Sequence, residues 1–436
     1  MGKGQTLYRK ACRLIPGGTQ LLSKRPEMFL PDQWPAYYAS AKGITVTDLD
    51  GVAYRDFSHC GVGTCPLGYA DPDVNAAVVE AVSAGSMCTL NAPEEVALAE
   101  LLIELHPWAE MARFGRSGGE MMSVAIRIAR AATGRSRVAF CGYHGWHDWY
   151  IAANLATGDA LGTHLIAGLQ PDGVPVELKG TAHPFHYNTI EELEEIVGRH
   201  GGELAAIVLE PVRSQDPADD FLAKVKEVAA KCGAVLIFDE ITSGWRIANG
   251  GAHLTMGIEP DMAVFAKAIS NGYAMAAVIG RRAVMDAAQK SFISSTYWTE
   301  RVGVAAALAC IRKYGRENVA AHQVAVGERV RRSWLDGARS AGIEVHVDGL
   351  APLSHLAFVT ADPAAATTLY TQEMLTRGFL AGAQCYTTFA HRDEDIDRHA
   401  EAAAESMGVI ARALASGDVR SALRGPVKHT GFQRLN

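Results

Sequence analysis

The sequence predicts an α/β protein with a mostly parallel central sheet, helices on both faces of that sheet, and a smaller α+β domain. Three observations predict this class. From Pro72 onward, short apolar runs alternate with segments of helical spacing. Several runs, such as residues 234–238, are apolar without interruption, which is typical of strands buried on both faces of a sheet. Near residue 310 this alternation gives way to two long amphipathic helices, so a second architecture begins there.

The composition fits a globular protein and excludes several other classes. Of the 436 residues, 48% are hydrophobic and 20% are charged, which is enough apolar material for a core and too much for a disordered chain. The 41 Lys and Arg residues against 48 Asp and Glu leave no basic surplus for nucleic acid. No apolar run approaches the roughly 18–20 residues of a membrane helix, and the charged N-terminus does not resemble a secretory signal. The 8 scattered cysteines predict reduced thiols, so we expect a cytoplasmic protein.

For the first two thirds of the chain, the sequence predicts an irregular start followed by alternating helices and strands. The first forty residues look irregular, because Pro16-Gly17-Gly18, Pro31 and Pro35 interrupt any long helix. Alternating polarity predicts a strand pair over residues 44–48 and 53–57, around the turn Asp50-Gly51. Helical spacing predicts helices over residues 73–82, 94–105, 120–131, 190–200 and 221–232. Apolar runs predict strands over residues 112–114, 138–140, 205–209, 234–238, 262–266 and 275–279.

The last third predicts a different arrangement. Helices are expected over residues 302–314, 319–341, 363–377 and 394–415, and strands over residues 343–347 and 354–359. We therefore divide the chain into three parts. Residues 1–65 form an N-terminal segment that packs with the small domain, residues 66–310 form a large domain that holds the ligand, and residues 311–436 form a C-terminal small α+β domain.

The common nucleotide and metal signatures do not fit this sequence. There is no GxxxxGK[ST] loop, and Gly61-Val62-Gly63 lacks the third glycine of a dinucleotide-binding turn. Two histidine pairs have a spacing of three but lie outside any HExxH pattern: His144 with His147, and His183 with His186. The sequence therefore predicts neither nicotinamide chemistry nor a bound metal.

Three other features can be combined into one site. Asp239 ends the apolar run Val235-Leu236-Ile237-Phe238, at the carboxyl end of a strand where open α/β sheets bind ligands, and a buried anion there needs a cationic partner. Lys267 also follows an apolar stretch, where a desolvated amine can act as a nucleophile for Schiff-base chemistry. The turn Ser117-Gly118-Gly119-Glu120 opens a helix, and its backbone N–H groups can hold a phosphate. An imine-forming lysine, an anion for a pyridinium nitrogen and a phosphate cradle are the protein's share of a pyridoxal-phosphate (PLP) site.

The order of these motifs resembles one known family. The chain is similar to the class III aminotransferases, which are fold-type I PLP-dependent enzymes, and within them to the glutamate-1-semialdehyde aminomutase branch. The shared motifs run over nearly the whole length of the chain. They are Pro16-Gly17-Gly18, Asp48-Leu49-Asp50-Gly51, Ser117-Gly118-Gly119-Glu120, Tyr143-His144-Gly145, Leu209-Glu210-Pro211-Val212, Phe238-Asp239-Glu240-Ile241, Gly257-Ile258-Glu259-Pro260-Asp261, Ala266-Lys267, Gly280-Arg281-Arg282 and Ala390-His391.

The resemblance implies a role in the reaction or at the cofactor ring for four residues. Lys267 would be the catalytic residue, because it would bind the cofactor through its amine and later shuttle the proton. Asp239 would pair with the protonated pyridine nitrogen. Tyr143 would stack on one face of the ring, and Ile241 would pack on the other.

The remaining cofactor contacts are implied in the same way. Ser117-Gly118-Gly119 would bind the phosphate, with backbone N–H groups of the two glycines as donors. Thr296 would reach the phosphate from the neighbouring subunit, so the resemblance implies a homodimer with shared active sites. Glu210 matches an acid that lies behind the cofactor contacts, and Gln215 could reach the ring hydroxyl.

The sequence departs from the aminomutase at positions that would contact substrate. Leu21 stands where the aminomutase has a serine, and Ala383 stands where it has a glutamate. The segment Cys60-Gly61-Val62-Gly63 lacks the aromatic residue that the resemblance implies near the substrate carboxylate. The phosphate turn has Gly118-Gly119 in place of glycine–threonine, which removes one hydroxyl. Because the cofactor residues match and the substrate residues do not, the aminomutase reaction itself is disfavoured.

We therefore expect an aminotransferase that moves an amino group from a donor, for which glutamate is a candidate, to a small carbonyl acceptor. The acceptor could be a keto-sugar, an aldehyde or a keto acid. The segment Tyr297-Trp298-Thr299-Glu300-Arg301, with Arg213, Arg246 and His59, could line a hydroxyl-rich pocket, although a structural role is the stronger expectation for Arg246. The alternative is a PLP-dependent aminomutase, epimerase or racemase, in which the same lysine serves. A non-catalytic relative would lack Lys267 or Asp239, and both are present.

Overall fold

A computed structural model describes residues 2–164, 167–212, 214–218 and 220–432 of the chain. We number its helices and strands in chain order. The helices are α1 Lys3–Leu14, α2 Pro72–Ser83, α3 Pro93–Leu105, α4 Gly118–Thr133, α5 Asp148–Ile151, α6 Asn154–Thr157, α7 Ile190–His200, α8 Phe221–Cys232, α9 Arg282–Met285, α10 Arg301–Arg316, α11 Val319–Ala341, α12 Pro363–Thr376 and α13 Asp393–Ala415. The strands are β1 Tyr38–Lys42, β2 Thr45–Asp48, β3 Ala53–Phe57, β4 Met111–Gly115, β5 Arg137–Cys141, β6 Ala182–Pro184, β7 Leu204–Leu209, β8 Val235–Asp239, β9 Met262–Phe265, β10 Ala276–Gly280, β11 Val345–Asp348, β12 Leu353–Phe358, β13 Phe379–Ala381 and β14 Gln384–Tyr386.

The chain divides into two compact units. The first comprises residues 1–71 and 321–436, and the second comprises residues 72–320. The second unit is built on a seven-stranded sheet with the order β4-β10-β9-β8-β7-β5-β6. Strand β10 runs antiparallel to both of its neighbours, and the other pairs are parallel. The carboxyl ends of β4, β5, β7, β8 and β9 therefore meet at one edge of the sheet.

The strands of the second unit are apolar because both faces of their sheet are covered. Every residue of β7 and of β8 is buried, as expected for central strands of a parallel sheet. One face packs against α4, whose buried positions Met121, Val124 and Ile128 recur at helical spacing. The other face packs against α7 and α8 through residues such as Leu193 and Val225. The predicted α/β class with a mostly parallel central sheet is confirmed.

The first unit contains two small sheets. Strands β1, β2, β3 and β13 form a four-stranded sheet in which β13 runs parallel to β3, and β11, β12 and β14 form an antiparallel one. The core of this unit lies between these strands and α11, α12 and α13, and it is centred on large side chains such as Phe57, Trp334 and Tyr370. In the part of the chain that the structure describes, every helix is too short or too polar to span a bilayer.

The expectation of an irregular first forty residues is wrong in two places. Residues Lys3–Leu14 form helix α1, which buries Tyr8 and Ala11 on one face and ends just before Pro16. The prolines that follow limit its length but do not prevent it, because Pro disrupts a helix only from within. Strand β1 was also missed. Its residues are mostly exposed, so no alternating burial marks it in the sequence.

Candidate functional site

The predicted site residues gather at the carboxyl edge of the large sheet. The phosphate turn follows β4, Tyr143 follows β5, Glu210 follows β7, Asp239 ends β8, and Lys267 follows β9. This gathering follows from the parallel topology, since parallel strands present all their carboxyl ends on one side. The loops that leave this edge therefore carry side chains of different elements to one place.

Asp239 is buried and paired with a histidine. Its side chain is 2% exposed, and its Oδ2 lies 2.8 Å from Nδ1 of His144, which is itself buried. The other ring nitrogen of His144, Nε2, lies 2.9 Å from the carbonyl oxygen of Cys141 and must donate to it. Both ring nitrogens therefore face acceptors, so a proton is held between His144 and Asp239. The second oxygen of Asp239, Oδ1, accepts from the backbone N–H of Ile241 at 3.0 Å. These contacts compensate the carboxyl group for its burial.

Lys267 is fixed by the turn that follows Asp239. It has a left-handed backbone with a φ of 43°, an unusual conformation for a residue other than glycine, and strained backbone clusters at functional sites. Its Nζ donates a hydrogen bond of 2.7 Å to Oγ1 of Thr242, a residue that is buried. The carbonyl oxygen of Thr242 in turn accepts from Nε of Arg246 at 3.1 Å. The hydrogen bond from Nζ to Thr242 therefore fixes the orientation of the Lys267 amine.

The turn before α4 contains two consecutive glycines, so its backbone at positions 118 and 119 carries no side chain of its own. Ser117 is the N-cap residue, and Oε2 of Glu120 accepts from the backbone N–H groups of Arg116 at 2.8 Å and Ser117 at 3.3 Å. A Cβ atom at Gly118 would lie 2.7 Å from Cδ1 of Ile241, so a larger residue would displace that side chain. The first backbone N–H groups of a helix have no partner within the helix, and they favour an anion.

A cavity of about 420 Å³ lies beyond the carboxyl ends of β5 and β7, and its lining does not include Lys267, Asp239 or the Ser117-Gly118-Gly119 turn. It brings together Tyr143, Glu210 and Gln215, three of the residues predicted to contact the cofactor. Much of its remaining lining is polar. The lining residues are Cys141, Gly142, Tyr143, Thr163, His164, His186, Tyr187, Glu210, Ser214 and Gln215.

Some predicted residues lie elsewhere or play another part. Thr296 is exposed at the start of a short 3-10 helix and does not line the cavity. Arg246 is only 1% exposed and supports Thr242, which is a structural role. His59 contacts Gln384 in the first unit. Arg213 lies outside the described residues.

Sequence reasoning missed the contacts that His144 and Thr242 make. The sequence shows His144 at metal-ligand spacing from His147 and within the Tyr143-His144-Gly145 motif, and neither pattern indicates its pairing with Asp239. Thr242 follows the Asp239-Glu240-Ile241 motif by one residue, but nothing in that spacing shows that its hydroxyl meets Lys267. Both contacts join segments far apart in sequence, and only the fold reveals them.

Comparison with known proteins identifies the family. A model of the family described as aminotransferase class-III matches residues 31–346, which is more than half of the chain. The chain belongs to the class III aminotransferase family. It is 30% identical to a 3-aminobutyryl-CoA aminotransferase of Cloacimonas acidaminovorans over 95% of this chain and 99% of that protein. It is 34% identical to a 2'-deamino-2'-hydroxyneamine transaminase of Streptomyces kanamyceticus over 85% and 92% of the two chains. Other relatives of this class III aminotransferase are glutamate-1-semialdehyde 2,1-aminomutases.

Solved structures agree with this assignment. The fold superimposes on the PLP internal aldimine form of the FumI protein of Sphingopyxis sp. MTA144 with a TM-score of 0.85, at 26% identity and over 95% and 98% of the two chains. The predicted resemblance, the PLP-dependent aminotransferase class and the cofactor are thereby confirmed. The residues at the carboxyl edge fit PLP, because they supply an amine, a buried carboxylate and a turn without side chains at a helix N-terminus.

Proposed function

We propose that this class III aminotransferase transfers an amino group from L-glutamate to a small carbonyl acceptor, with PLP bound at the carboxyl edge of the large sheet. One observation carries the proposal. The amine of Lys267 is held by Thr242 on the turn that directly follows Asp239, so the amine and the buried carboxylate belong to one connected unit. We also propose that the protein works in the cytoplasm.

Each of these residues has a defined task under this proposal. When bound, PLP supplies an electron-withdrawing ring that stabilises the electron pair left by a departing proton and carries the amino group between the two substrates. Asp239 would pair with the protonated pyridine nitrogen, and His144 would orient Asp239. The amine of Lys267 would hold the cofactor until the substrate amine displaces it, and the freed amine would then move a proton between neighbouring substrate carbons. Tyr143 and Ile241 would pack against the ring, and the Ser117-Gly118-Gly119 turn would bind the phosphate.

The two remaining contacts would lie at the cavity. Glu210 is buried at the end of β7 and Gln215 is exposed on the following loop, and both line the cavity. Glu210 would orient the groups around the cofactor, and the Gln215 amide would donate to the ring hydroxyl. Both roles rest on the cavity that the two residues share with Tyr143.

The cavity supports a polar acceptor. Its lining includes the hydroxyl group of Thr163 and the imidazole rings of His164 and His186, which are groups that hydrogen-bond to hydroxyls. His186 is oriented by Glu192, whose Oε2 lies 2.9 Å from Nδ1, and by Thr163, whose hydroxyl lies 3.1 Å from Nε2. A keto-sugar is the acceptor class that these groups fit best. The relative from Streptomyces kanamyceticus is named a 2'-deamino-2'-hydroxyneamine transaminase, and the hydroxyl group in that name agrees with a polar substrate.

The second candidate is an aminomutase reaction, in which the amino group stays with one substrate. Several relatives with that name support it. The replacements at Leu21 and Ala383 argue against it, because these positions carry polar side chains in the aminomutase. The two reactions differ in stoichiometry, since only a transaminase releases a keto acid from its donor.

We propose that the protein is a homodimer whose interface includes residues 291–299. The side chains of Phe292 and Tyr297 in this segment are 87% and 70% exposed, which is unusual for aromatic residues without a partner surface. The segment is nevertheless held in place. Arg127 donates to the carbonyl oxygen of Phe292 at 3.3 Å, and Arg113 donates to the next carbonyl oxygen at 2.6 Å. In a dimer, Thr296 would contact the phosphate in the partner's site.

The test is a single-turnover experiment with the PLP-loaded protein and L-glutamate but no acceptor. We expect about one equivalent of 2-oxoglutarate per active site, together with a change in the visible absorption of the bound cofactor. A panel of keto-sugars, aldehydes and keto acids then identifies the acceptor by restoring the original spectrum. If glutamate and other amino donors release no keto acid while glutamate-1-semialdehyde is isomerised, the aminotransferase proposal is wrong and the aminomutase is correct.

A further inference from the structure

His147 lies against the turn that precedes α4. A Cβ atom built on Gly119 would lie 3.0 Å from Nδ1 of His147 and 3.1 Å from its Cε1. A Cβ atom at Gly145, two residues before His147, would lie 3.1 Å from Cα of Gly119. The segment from Gly145 to His147 therefore packs directly on the turn, and the imidazole occupies the space in which a side chain at position 119 would begin.

The Nδ1 atom of His147 is buried without a hydrogen-bond partner among the described residues. The ring stacks on Trp146 with 4.3 Å between the ring centroids, and burial lowers the pKa of His147, although the carboxylates of Glu120 and Asp148 raise it. An unsatisfied buried polar atom is costly, and in a native protein it calls for an explanation such as a missing ion or ligand. The nearest ligand to be expected is an anion at the N-terminus of α4.

Nδ1 of His147 lies close to where the hydroxyl group of a threonine at position 119 would be. The turn has Gly119 where a threonine is typical of the family, so one hydroxyl donor is absent. A threonine Oγ1 would lie within one bond length of the Cβ position, and that is the space beside Nδ1. Threonine at position 119 and histidine at position 147 would therefore compete for the same volume.

We propose that Nδ1 of His147 donates a hydrogen bond to the phosphate group of PLP and replaces the hydroxyl group that Gly119 does not provide. This role rests on the proposed phosphate site at the Ser117-Gly118-Gly119 turn. It makes His147 a cofactor-binding residue that is specific for a phosphate monoester, because its partner is the phosphate and not the ring.

The direct test compares the dissociation constants of PLP and of pyridoxal, which lacks the phosphate, for the apo-protein. In His147→Ala we expect PLP to bind about 10-fold to 100-fold more weakly, the range for loss of a hydrogen bond to a charged group. Pyridoxal should bind the variant and the wild type equally. His147→Asn is the matched control, since its side-chain nitrogen can take the place of Nδ1 and should preserve most of the PLP affinity.

A second pair of variants tests the competition for space. Gly119→Thr should weaken PLP binding in the wild-type background, because the new side chain meets the imidazole. In the His147→Ala background the same substitution should restore PLP affinity. Circular dichroism of each apo-variant verifies the fold.

Three results would overturn the proposal. Equal weakening of PLP and pyridoxal would mean that His147 only supports the fold of the turn. Unchanged PLP affinity in a folded His147→Ala variant would exclude a phosphate contact. If PLP and pyridoxal bind the wild type with the same affinity, the phosphate site at the turn itself is wrong, and this inference fails with it.

Discussion

At the scale of single residues, the chemistry of the proposed site depends on where protons are held. Asp239 and His144 are both buried and share a proton across 2.8 Å, and Ile241 supplies a further N–H to the same carboxylate. Both oxygens of the buried Asp239 carboxyl group are therefore hydrogen-bonded. Because these partners compensate the carboxyl group for its burial, its replacement should have a large effect.

Asp239→Asn tests the role of this carboxyl group. The amide cannot hold a proton on the pyridine nitrogen, so we expect kcat of the half-reaction with the amino donor to fall about 10²-fold to 10³-fold. Asp261→Asn is the matched control, because Asp261 lies at the opposite edge of the sheet, where it accepts from the backbone N–H of Leu236 at 2.9 Å. Rapid-mixing absorbance measures both rates. Equal rates for Asp239→Asn and the wild type would contradict the assigned role.

A second residue-scale prediction concerns stability in acid. His399 is buried in the core of the first unit, stacked on Phe57 at 4.4 Å, and neither of its ring nitrogens has a partner among the described residues. Burial lowers the pKa of His399 from 6.5 to about 3, so only the unfolded chain binds this proton at intermediate pH. The folded state therefore loses about 1.4 kcal/mol of stability per pH unit from this residue as the pH falls from 6.5 towards 3.

We expect His399→Phe and His399→Leu to flatten this pH dependence. Chemical denaturation at several pH values between 6.5 and 4.5 measures the slope of the unfolding free energy. Phe and Leu differ in shape, so a change in packing would affect the two variants differently. The same decrease in pH slope in both variants would therefore show that the slope comes from protonation of His399. If both variants retain the wild-type slope, His399 is not the group that titrates.

At the scale of elements, the turn between β8 and β9 is held by a buried chain of polar groups. Oε1 of Glu240 accepts from Nδ1 of His253 at 2.7 Å, and Nε2 of His253 accepts from the indole N–H of Trp108 at 2.9 Å. The hydroxyl group of Ser243 donates to the other oxygen of Glu240. The same turn carries Thr242, the partner of Lys267, so this chain fixes the element that orients the amine.

Removal of Glu240 from this series of hydrogen bonds should lower the free energy of unfolding. Glu240→Ala leaves the buried Nδ1–H of His253 and the hydroxyl group of Ser243 without their acceptor, and each unsatisfied buried donor costs about 1–3 kcal/mol. Burial alone would raise the pKa of Glu240, but the hydrogen bonds from His253 and Ser243 lower it below its ordinary 4.5. The stability that the Glu240 carboxylate contributes to the folded state is therefore fully present above pH 4.5. It is lost as the pH falls through the lower pKa that Glu240 has in the folded protein.

Urea denaturation measures this loss, and Glu227→Ala is the control. Glu227 pairs with Lys231 on the surface of α8, with both side chains more than half exposed, so its removal should leave the unfolding free energy unchanged. If Glu240→Ala is as stable as Glu227→Ala, the buried chain does not stabilise the turn.

The segment 291–299 gives the second prediction at this scale. We expect Phe292→Glu to shift the protein towards monomers, because a buried carboxylate at the centre of the interface would lack a partner. Leu335→Glu on α11 is the control, since it introduces the same charge at a position that is already 41% exposed. Light scattering after size-exclusion chromatography gives the mass of each variant. A Phe292→Glu dimer as stable as the wild type would exclude this surface as the interface.

At the scale of the whole molecule, most of the architecture is readable from the sequence, for physical reasons. Helices α7, α8 and α11 have the predicted bounds, because each has an amphipathic period that a glycine (Gly201, Gly233 or Gly342) ends at its carboxyl terminus. Strands β7 and β8 were predicted because buried parallel strands are continuously apolar. The sequence did not indicate helix α1 or strand β1, since α1 is rich in charged residues and is followed by prolines, and the residues of β1 are mostly exposed.

The candidate site was predictable only in part. Residues that follow apolar runs, such as Asp239 and Lys267, can be placed at the carboxyl edge from the sequence. Their partners cannot, because the contacts of His144 and Thr242 span 95 and 25 residues of chain. The same limit applies to His147, which was set aside with His144 as a weak metal pair. Only the packing of the Gly145–His147 segment on Gly119 shows that its ring fills the space of an absent side chain.

The central claim is that the cofactor is held by Lys267 at the carboxyl edge of the large sheet. Reduction of the PLP-loaded protein with borohydride fixes the cofactor permanently to the amine that holds it, and peptide mass spectrometry then locates the modified residue. We predict a single modified peptide that contains Lys267, and no modification at this peptide in Lys267→Ala. A cofactor fixed to a different lysine, or no fixed cofactor in protein saturated with PLP, would contradict this account.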